Sequence, residues 1–415
     1  MPETSRLNHI FYVLFSLIIC TITFLPSIRV RFGLVEIAVL TAVYSACFFS
    51  SSLLPYIKKI AIPIIIYGVI CFFFGFPFQF KLGFLHPIMT LWIWIFPFLM
   101  CTCLIQRNNK WNTRIILWYL LILFGIVLFA TVKAMDTFPN VMRMMTSGAT
   151  DSILKSKLNA MNVGGYGIAY GCGAIFLALV SYILIFKLKK TYFIFSLTLN
   201  LFCLYIVIKA QFTTLLGLCV LWTILILFIN IKSQFIRISI LILGLLTLLV
   251  AEPILHSIIE FYQDTKTGEH LQDIYNSIFQ DEQYTSLRSE YQINALKVWL
   301  QSPLFGNDLT IPQNAIAATH SHSTLLAIGV KSGLIGIICY YSCYYFAFIS
   351  ILNEINNSII KKIFIPIGGY FLCLSALNPT ESDILNYCLG LLAPLLVFTL
   401  YYNSNKNGSF TFMEE

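Results

Sequence analysis

The chain has 415 residues, of which 58% are hydrophobic and 11% are charged, and its formal net charge at pH 7 is +8. Soluble globular domains carry roughly 25% charged residues, so this composition excludes a water-soluble globule and predicts a polytopic membrane protein. The positive charge suits a membrane face beside anionic lipid, and we expect no nucleic-acid partner.

Apolar segments long enough to cross a bilayer recur along the whole chain. A helix needs about 20 apolar residues to span the hydrocarbon core, and lipid favours helices because they satisfy their own backbone hydrogen bonds. We predict an all-α bundle of about twelve spans. They lie near residues 9–28, 32–54, 60–78, 84–105, 113–132, 163–186, 191–208, 212–231, 236–255, 321–350, 359–377 and 384–402. We expect the first to be a retained span rather than a cleaved signal, since no small-residue cleavage site follows it.

Basic residues mark alternate connections between the predicted spans. The positive-inside rule places these connections in the cytoplasm, and the N-terminus with them. The cytoplasmic basic residues are then Lys58, Lys59, Arg107, Lys110, Arg114, Lys187, Lys189, Lys190, Lys232, Arg237, Lys361 and Lys362. Arg29 and Arg31 fall on the outer side and are the main exceptions to this orientation.

Two connections are longer than the others, and both are predicted on the outer side of one integral membrane domain, 1–415. They cover residues 135–162 and 256–320. Loops beyond roughly 12–15 residues are usually functional, so a hydrophilic substrate is expected to bind here. Between Leu287 and Leu300, charged and apolar residues alternate at helical spacing, which predicts short amphipathic helices at the membrane surface.

The second long connection carries a spaced set of residues. Arg288 is followed by Trp299, by the segment SPLFG that ends at Gly306, by His322-Ser-Thr-Leu-Leu, and by GLIG, which begins at Gly333. This order resembles the O-antigen polymerase and ligase superfamily of bacterial envelope polysaccharide assembly. Its members have an outward loop with an arginine, a tryptophan and a Pro-x-x-Gly turn, then a His-Asn or His-Ser pair that opens a helix continuing to Gly-Leu-x-Gly. The resemblance is close over the last third of the chain.

The resemblance implies a glycosyltransferase of the bacterial inner membrane that uses neither a cofactor nor a metal. In that family a glycan moves from an undecaprenyl diphosphate donor to a second lipid-linked repeat unit, in a polymerase, or to the lipid A core, in a ligase. We favour the polymerase, for which the resemblance also implies a chain-length regulator as partner. A lipid-linked oligosaccharide flippase is the alternative from another class, although flippases more often place ionisable residues at the membrane midplane.

The transfer needs a base for the acceptor hydroxyl, and two histidines are candidates. His322 matches the family position, and His320 gives the His-x-His arrangement that some ligases of the family show; we favour His322 and leave the choice open. A histidine in the first turn of a helix stays neutral near pH 7 because the macrodipole disfavours imidazolium. The alternatives are a polar anchor at the membrane interface and a metal pair, for which no Cys or Asp lies at ligand spacing nearby.

Three cations are candidates for binding the diphosphate. Arg288 suits a bidentate contact with phosphate oxygens, and the alternative is that it solvates an amphipathic helix. Arg143, in the first outer loop, is a weaker candidate. Family members often carry an arginine at the outer end of a middle helix, where Phe212 stands in this chain. Lys209, one turn earlier, either supplies that charge or snorkels to the surface.

Three further features have mainly structural interpretations. The glycines of NVGGYGIAYGCG, from Asn162, indicate close helix packing rather than a nucleotide site, because no strand precedes them. The cysteines lie almost wholly in apolar spans and are expected to be small buried side chains. Glu381 and Asp383, at the outer start of the last span, either bind an acceptor sugar by hydrogen bonds or form a solvated turn, and the turn is favoured.

Overall fold

The structure is a computed structural model of the chain. It describes residues 3–74, 85–107, 109–145, 151–185, 190–210, 212–230, 233–234, 251–262, 268–269, 271–272, 275–276, 287–306, 323–355 and 358–404. These residues form helices and short connections, with no strand among them. The prediction of an all-α fold is confirmed for this part of the chain.

The helices follow one another along the chain and are numbered in that order. They are α1 (Glu3–Phe24), α2 (Pro26–Arg29), α3 (Leu34–Phe48), α4 (Leu54–Phe74), α5 (Leu85–Gln106), α6 (Lys110–Thr137), α7 (Val141–Met144), α8 (Ser152–Ala160), α9 (Tyr166–Ile185), α10 (Lys190–Lys209), α11 (Thr213–Asn230), α12 (Ala251–Phe261), α13 (Leu287–Gln301), α14 (Thr324–Asn353), α15 (Ser358–Leu377), α16 (Asp383–Tyr387) and α17 (Ala393–Ser404). A π-helical turn, Cys388–Leu392, joins α16 to α17, so the two form one continuous span.

Eight helical stretches of the described chain are long and apolar enough to cross a membrane. They are Ser51–Phe74, Leu85–Gln106, Lys110–Thr137, Tyr166–Leu184, Lys190–Lys209, Thr324–Asn353, Ile360–Leu377 and Asp383–Tyr401. Asn8–Phe24, Leu34–Phe48 and Thr214–Phe228 are shorter apolar helices. The chain is therefore a multi-pass membrane protein. The total of about twelve spans stays a prediction, because the span expected near 236–255 lies mostly outside the described residues.

The predicted boundary between the second and third spans is corrected. Helix α3 ends at Phe48, since Phe49 and Ser50 have extended backbones, and α4 begins at Leu54 after a 3₁₀ turn at Ser51–Leu53. Pro55 lies in the first turn of α4, where a proline replaces an N–H that has no partner inside the helix. The third span therefore starts earlier than hydropathy indicated.

The centre of the bundle is formed by α5, α9 and the span of α16 and α17. In these three spans 72%, 83% and 83% of the apolar window is buried, whereas 28% is buried in the spans of α4 and α10. A span that exposes most of its apolar side chains inside a multi-pass protein faces lipid. Helices α4 and α10 therefore lie at the periphery.

Glycines on α9 allow the central helices to approach closely. A Cβ atom on Gly171 would lie 2.7 Å from Cys388 Sγ, and one on Gly173 would lie 2.6 Å from Tyr370 Oη. The close-packing interpretation of this glycine-rich segment is confirmed. The cysteines are buried except Cys47, which is exposed, and Cys373, which is partly exposed, as expected for small apolar side chains in spans.

Polar side chains connect the helices at both ends of the bundle. At one end Gln106 accepts a hydrogen bond from the Ser50 hydroxyl at 2.6 Å and donates one to Glu354 at 2.8 Å. At the other end Arg29 donates to Asp383 at 2.6 Å. The positive-inside pattern predicts that the first end is cytoplasmic. We call the second the outer end.

Candidate functional site

Helix α14 is broken at Gly333, which has φ 63° and ψ −164°. Glycine adopts this backbone conformation far more readily than residues with a Cβ atom. The break leaves the N–H groups of Leu334 and Ile335 without helical acceptors, and they donate instead to the carbonyl oxygens of Pro303 and Leu304, at 2.8 and 3.2 Å. The SPLFG segment thus completes the hydrogen bonding of the broken helix.

The residues of the sequence motif meet at this break. Trp299 Nε1 donates to Pro303 O at 3.0 Å, and the indole ring covers Gly329, where a Cβ atom would lie 2.8 Å from the ring. Gly306 has φ +82°, and a Cβ atom on it would lie 2.6 Å from the backbone of Lys331. We call this set the Gly333 joint: Trp299, Pro303, Leu304, Gly306, Gly329 and Gly333. It fastens the end of α13 to α14.

The segment 307–322 contains both candidate bases, His320 and His322, and lies outside the described residues. It leaves the joint after Gly306 and returns at Ser323, the N-cap residue of α14. Ser323 Oγ accepts a hydrogen bond from Leu326 N at 3.2 Å, and its hydroxyl donates to Ala376 O on α15 at 2.6 Å. Both chain ends of the histidine segment are therefore fixed.

Helix α14 begins at Thr324, close to the predicted start of this span near residue 321. His322 precedes the N-cap residue and does not belong to the first helical turn. The argument that the macrodipole keeps this imidazole neutral assumed a position in that turn. The role of His322 as base does not depend on the macrodipole alone and stays a prediction.

The outer turn 378–383 is fastened to the start of α14. Thr324 N donates to Asn378 O at 3.3 Å, and Thr380 N donates to Thr324 Oγ1 at 2.7 Å. Glu381 is the next residue on this turn, and the Tyr166 hydroxyl donates to its carbonyl oxygen at 2.7 Å. The backbone of Glu381 is thus held next to the first residues of α14.

Two carboxylates of this turn have different surroundings. The Glu381 side chain is exposed and lies within electrostatic range of Tyr67 in the outer half of the bundle. Asp383 is half-buried, pairs with Arg29 at 2.6 Å and accepts a hydrogen bond from Trp94 Nε1 at 3.1 Å. The favoured interpretation as a solvated turn is therefore wrong for Asp383. The same pair balances the charge of Arg29, one of the two exceptions to the positive-inside pattern.

Arg143 lies over the ring of Phe212, with Cζ 5.3 Å from the ring centroid. Phe212 in turn lies beside Tyr170, with 5.7 Å between the ring centroids. Arg143 is half-buried on the short helix α7. A guanidinium therefore lies next to Phe212, the position at which the resemblance led us to expect an arginine.

The other two predicted diphosphate ligands differ in their surroundings. Lys209 donates to Asp136 at 2.6 Å, with 26% of the Lys209 side chain exposed. A carboxylate of the protein thus balances its charge, which favours a structural role at the end of α10. Arg288 lies in the first turn of α13, which matches the helix predicted from Leu287, and its side chain lies outside the described residues. Diphosphate binding by either stays a prediction.

Sequence reasoning missed Lys331, the one charged residue of α14. Its side chain is half-buried, and it lies within electrostatic range of His86 at the start of α5. The sequence contained a signal for it, namely a lone charge inside an apolar span. Such a charge is costly and usually functional. Its neighbour could not be found from spacing, since α5 and α14 are far apart in the chain.

Within the described ranges, no three His, Cys, Asp or Glu side chains are grouped as they would be around a metal ion. Because His320 and His322 lie outside those ranges, the expectation of a metal-independent site stays a prediction. Neither protein-family models nor curated proteins match the chain. The resemblance therefore rests on the motif residues of the sequence.

Proposed function

We propose that the chain is a polymerase of O-antigen or a related surface polysaccharide. It transfers a glycan from undecaprenyl diphosphate to a hydroxyl of a second lipid-linked repeat unit on the outer side of the bacterial inner membrane. The observation that carries the proposal is the Gly333 joint. The SPLFG segment and Gly333 both belong to the motif, and they are in direct contact although Leu304 and Gly333 are 29 positions apart in the chain, which supports a common role.

The reaction breaks the bond between the anomeric carbon and the diphosphate and forms a bond from that carbon to the acceptor oxygen. The acceptor proton goes to a base, and undecaprenyl diphosphate leaves as an anion. The protein therefore has to orient two sugars, take one proton and stabilise phosphate charge. These tasks require an imidazole, hydrogen-bond acceptors for sugar hydroxyls, and cations.

The residues near the start of α14 suit these tasks. His322 is the base, and Glu381 accepts hydrogen bonds from hydroxyls of the acceptor sugar. Thr324 is bonded to the turn that carries Glu381 and follows His322 by two residues. Because only Ser323 separates the two residues in the chain, we propose that His322 and Glu381 act on the same sugar. Arg288 and Arg143 are the guanidiniums that hold the diphosphate.

The ligase is the second candidate, and the spacing of His320 and His322 favours it. The loss of the family arginine at Phe212 favours the polymerase. The stacking of Arg143 on Phe212 reduces the weight of that argument, because a guanidinium is present beside the same ring. Both enzymes use the same donor and base, so an acceptor assay separates them.

The test is deletion of the gene in its own host, with the surface polysaccharide examined on a gel. A core that carries a single repeat unit and no ladder identifies the polymerase. A bare core with accumulated lipid-linked polymer identifies the ligase and overturns our first choice. An unchanged ladder contradicts both transferases.

The His322→Ala variant separates a transferase from a flippase. Loss of a general base lowers the transfer rate by about 10²–10⁴-fold, so the ladder should disappear although the protein is made. The matched control is His256→Ala, since His256 is an exposed histidine on α12 that lies 3.5 Å from Glu260 and contacts the ring of Tyr275. A His322→Ala variant that restores the ladder as well as the control does would exclude His322 as the base.

A further inference from the structure

Lys331 lies inside a membrane span, where a charged group is expensive to keep. It follows Thr324 by seven residues, so it lies about 10 Å deeper along the axis of α14 than the first residue of that helix. The Gly333 joint holds its backbone, because Gly306 leaves no room between the two segments for a Cβ atom. The position of this lysine is therefore set by the fold.

A described neighbour of Lys331 is His86, on α5. His86 lies within electrostatic range, and no ion pair joins Lys331 to a carboxylate among the described residues. Two other cations near the outer end form ion pairs with carboxylates of the protein: Arg29 pairs with Asp383, and Lys209 pairs with Asp136. A half-buried lysine beside a histidine provides positive charge that an anion from outside the chain can balance.

We propose that Lys331, together with His86, binds a phosphate group of the lipid diphosphate donor. This inference rests on the proposed function. The order of groups along α14 matches the order of groups in such a donor. The lipid tail lies in the bilayer, the diphosphate at its surface and the sugars beyond it. The lysine lies deeper than Thr324, so the cation meets the diphosphate, while Thr324 and the outer turn bonded to it lie toward the sugars.

Lysine binds phosphate as a point charge and does not need the forked geometry of arginine. An ordinary anionic headgroup offers the same phosphate chemistry, so the experiment has to separate a diphosphate from a phospholipid. Inorganic pyrophosphate serves as the competitor that carries the diphosphate alone.

The experiment measures the affinity of the purified full-length chain in phosphatidylcholine nanodiscs for undecaprenyl diphosphate, with phosphatidylglycerol as the second probe. We expect Lys331→Met to weaken binding of undecaprenyl diphosphate by about tenfold or more, the loss of one charged hydrogen bond, and Lys331→Arg to retain most of it. Lys133→Met is the matched control, because Lys133 is an exposed lysine at the outer end of α6. Pyrophosphate should displace the lipid from the wild-type chain.

The outcomes separate this inference from the proposed function. If the wild-type chain binds undecaprenyl diphosphate and Lys331→Met binds it equally well, the lysine is not a ligand and only this inference is lost. If Lys331→Met loses affinity for phosphatidylglycerol to the same extent, the lysine binds ordinary anionic lipid and the inference is wrong. If the wild-type chain binds no undecaprenyl diphosphate, both the inference and the transferase proposal are wrong. Retained binding by Lys331→Arg, together with a loss in Lys331→Met, shows that the positive charge at residue 331 is needed.

Discussion

Two ion pairs of equal length at the outer end differ in their burial. Arg29 and Asp383 are 2.6 Å apart with 30% and 15% of their side chains exposed, whereas Asp136 of the other pair is 66% exposed at the same distance. We expect Asp383→Ala to lower the free energy of unfolding by about 2–4 kcal/mol, because Arg29 and Trp94 both lose an acceptor. Asp136→Ala should cost less than about 1 kcal/mol.

Reversible unfolding in mixed micelles measures this difference. Asp383→Asn should fall between wild type and Asp383→Ala, since its amide oxygen can still accept a hydrogen bond from Trp94. Equal losses for Asp383→Ala and Asp136→Ala would show that the lower exposure of the Arg29–Asp383 pair does not make it the stronger one.

Single residues were predictable where the local sequence decides their environment. The buried cysteines and the close contacts of Gly171 and Gly173 follow from small side chains in apolar spans. Arg29 was only an exception to the charge pattern, because its partner Asp383 is 354 positions away in the chain. Lys331 was visible as a lone charge, while its relation to His86 depends on how two distant helices pack.

At the scale of elements, the break in α14 depends on one glycine. In Gly333→Ala the new Cβ atom would meet the backbone of Leu304, at a φ that alanine tolerates poorly. We expect a loss of more than about 2 kcal/mol in the free energy of unfolding. We also expect loss of the polysaccharide ladder, since the joint fixes one end of the histidine segment. Unfolding in mixed micelles and the gel of surface polysaccharide measure the two effects.

The control is Gly125→Ala on α6, where an added Cβ atom meets nothing within 4 Å. Because alanine favours a helix over glycine by roughly 0.5–1 kcal/mol, this variant should be slightly more stable than wild type. Should Gly333→Ala unfold like Gly125→Ala, the left-handed conformation at residue 333 would not be the cause of the break.

Helices were predicted well where hydropathy alone defines them, and less well at their ends. The start of α14 is set by the cap at Ser323 and that of α4 by Pro55, which are details of hydrogen bonding and ring geometry. The motif pointed to Gly333 as important. It gave no sign of a break, since the apolar run continues through it and the replacement hydrogen bonds come from the SPLFG segment.

On the scale of the whole molecule, hydropathy predicts which segments enter the membrane and leaves their neighbours undefined. The central position of α5, α9 and the last span comes from close contacts such as that of Gly390 with the Phe98 ring. The candidate site was likewise only partly predictable from the sequence. Its motif residues were recognisable one by one, while the Gly333 joint and the fastening of the Glu381 turn to Thr324 depend on packing between distant segments.

The orientation of the bundle decides whether the candidate site can act on a glycan on the outer side of the inner membrane. Thr137 at the outer end of α6 and Ser51 before α4 are both exposed. In a chain with Cys47 replaced by Ser, we expect Thr137→Cys to react with a membrane-impermeant thiol reagent in intact cells. We expect Ser51→Cys to react only after the membrane is opened, because Lys58 and Lys59 follow it and basic connections stay inside.

The reversed labelling pattern would place the Gly333 joint, Lys331 and both ends of the histidine segment toward the cytoplasmic side of the membrane. The donor of a surface polysaccharide polymerase presents its glycan on the opposite side. A base and a cation on the cytoplasmic face could not meet it, so the transferase proposal would be wrong even with every contact of the outer turn intact.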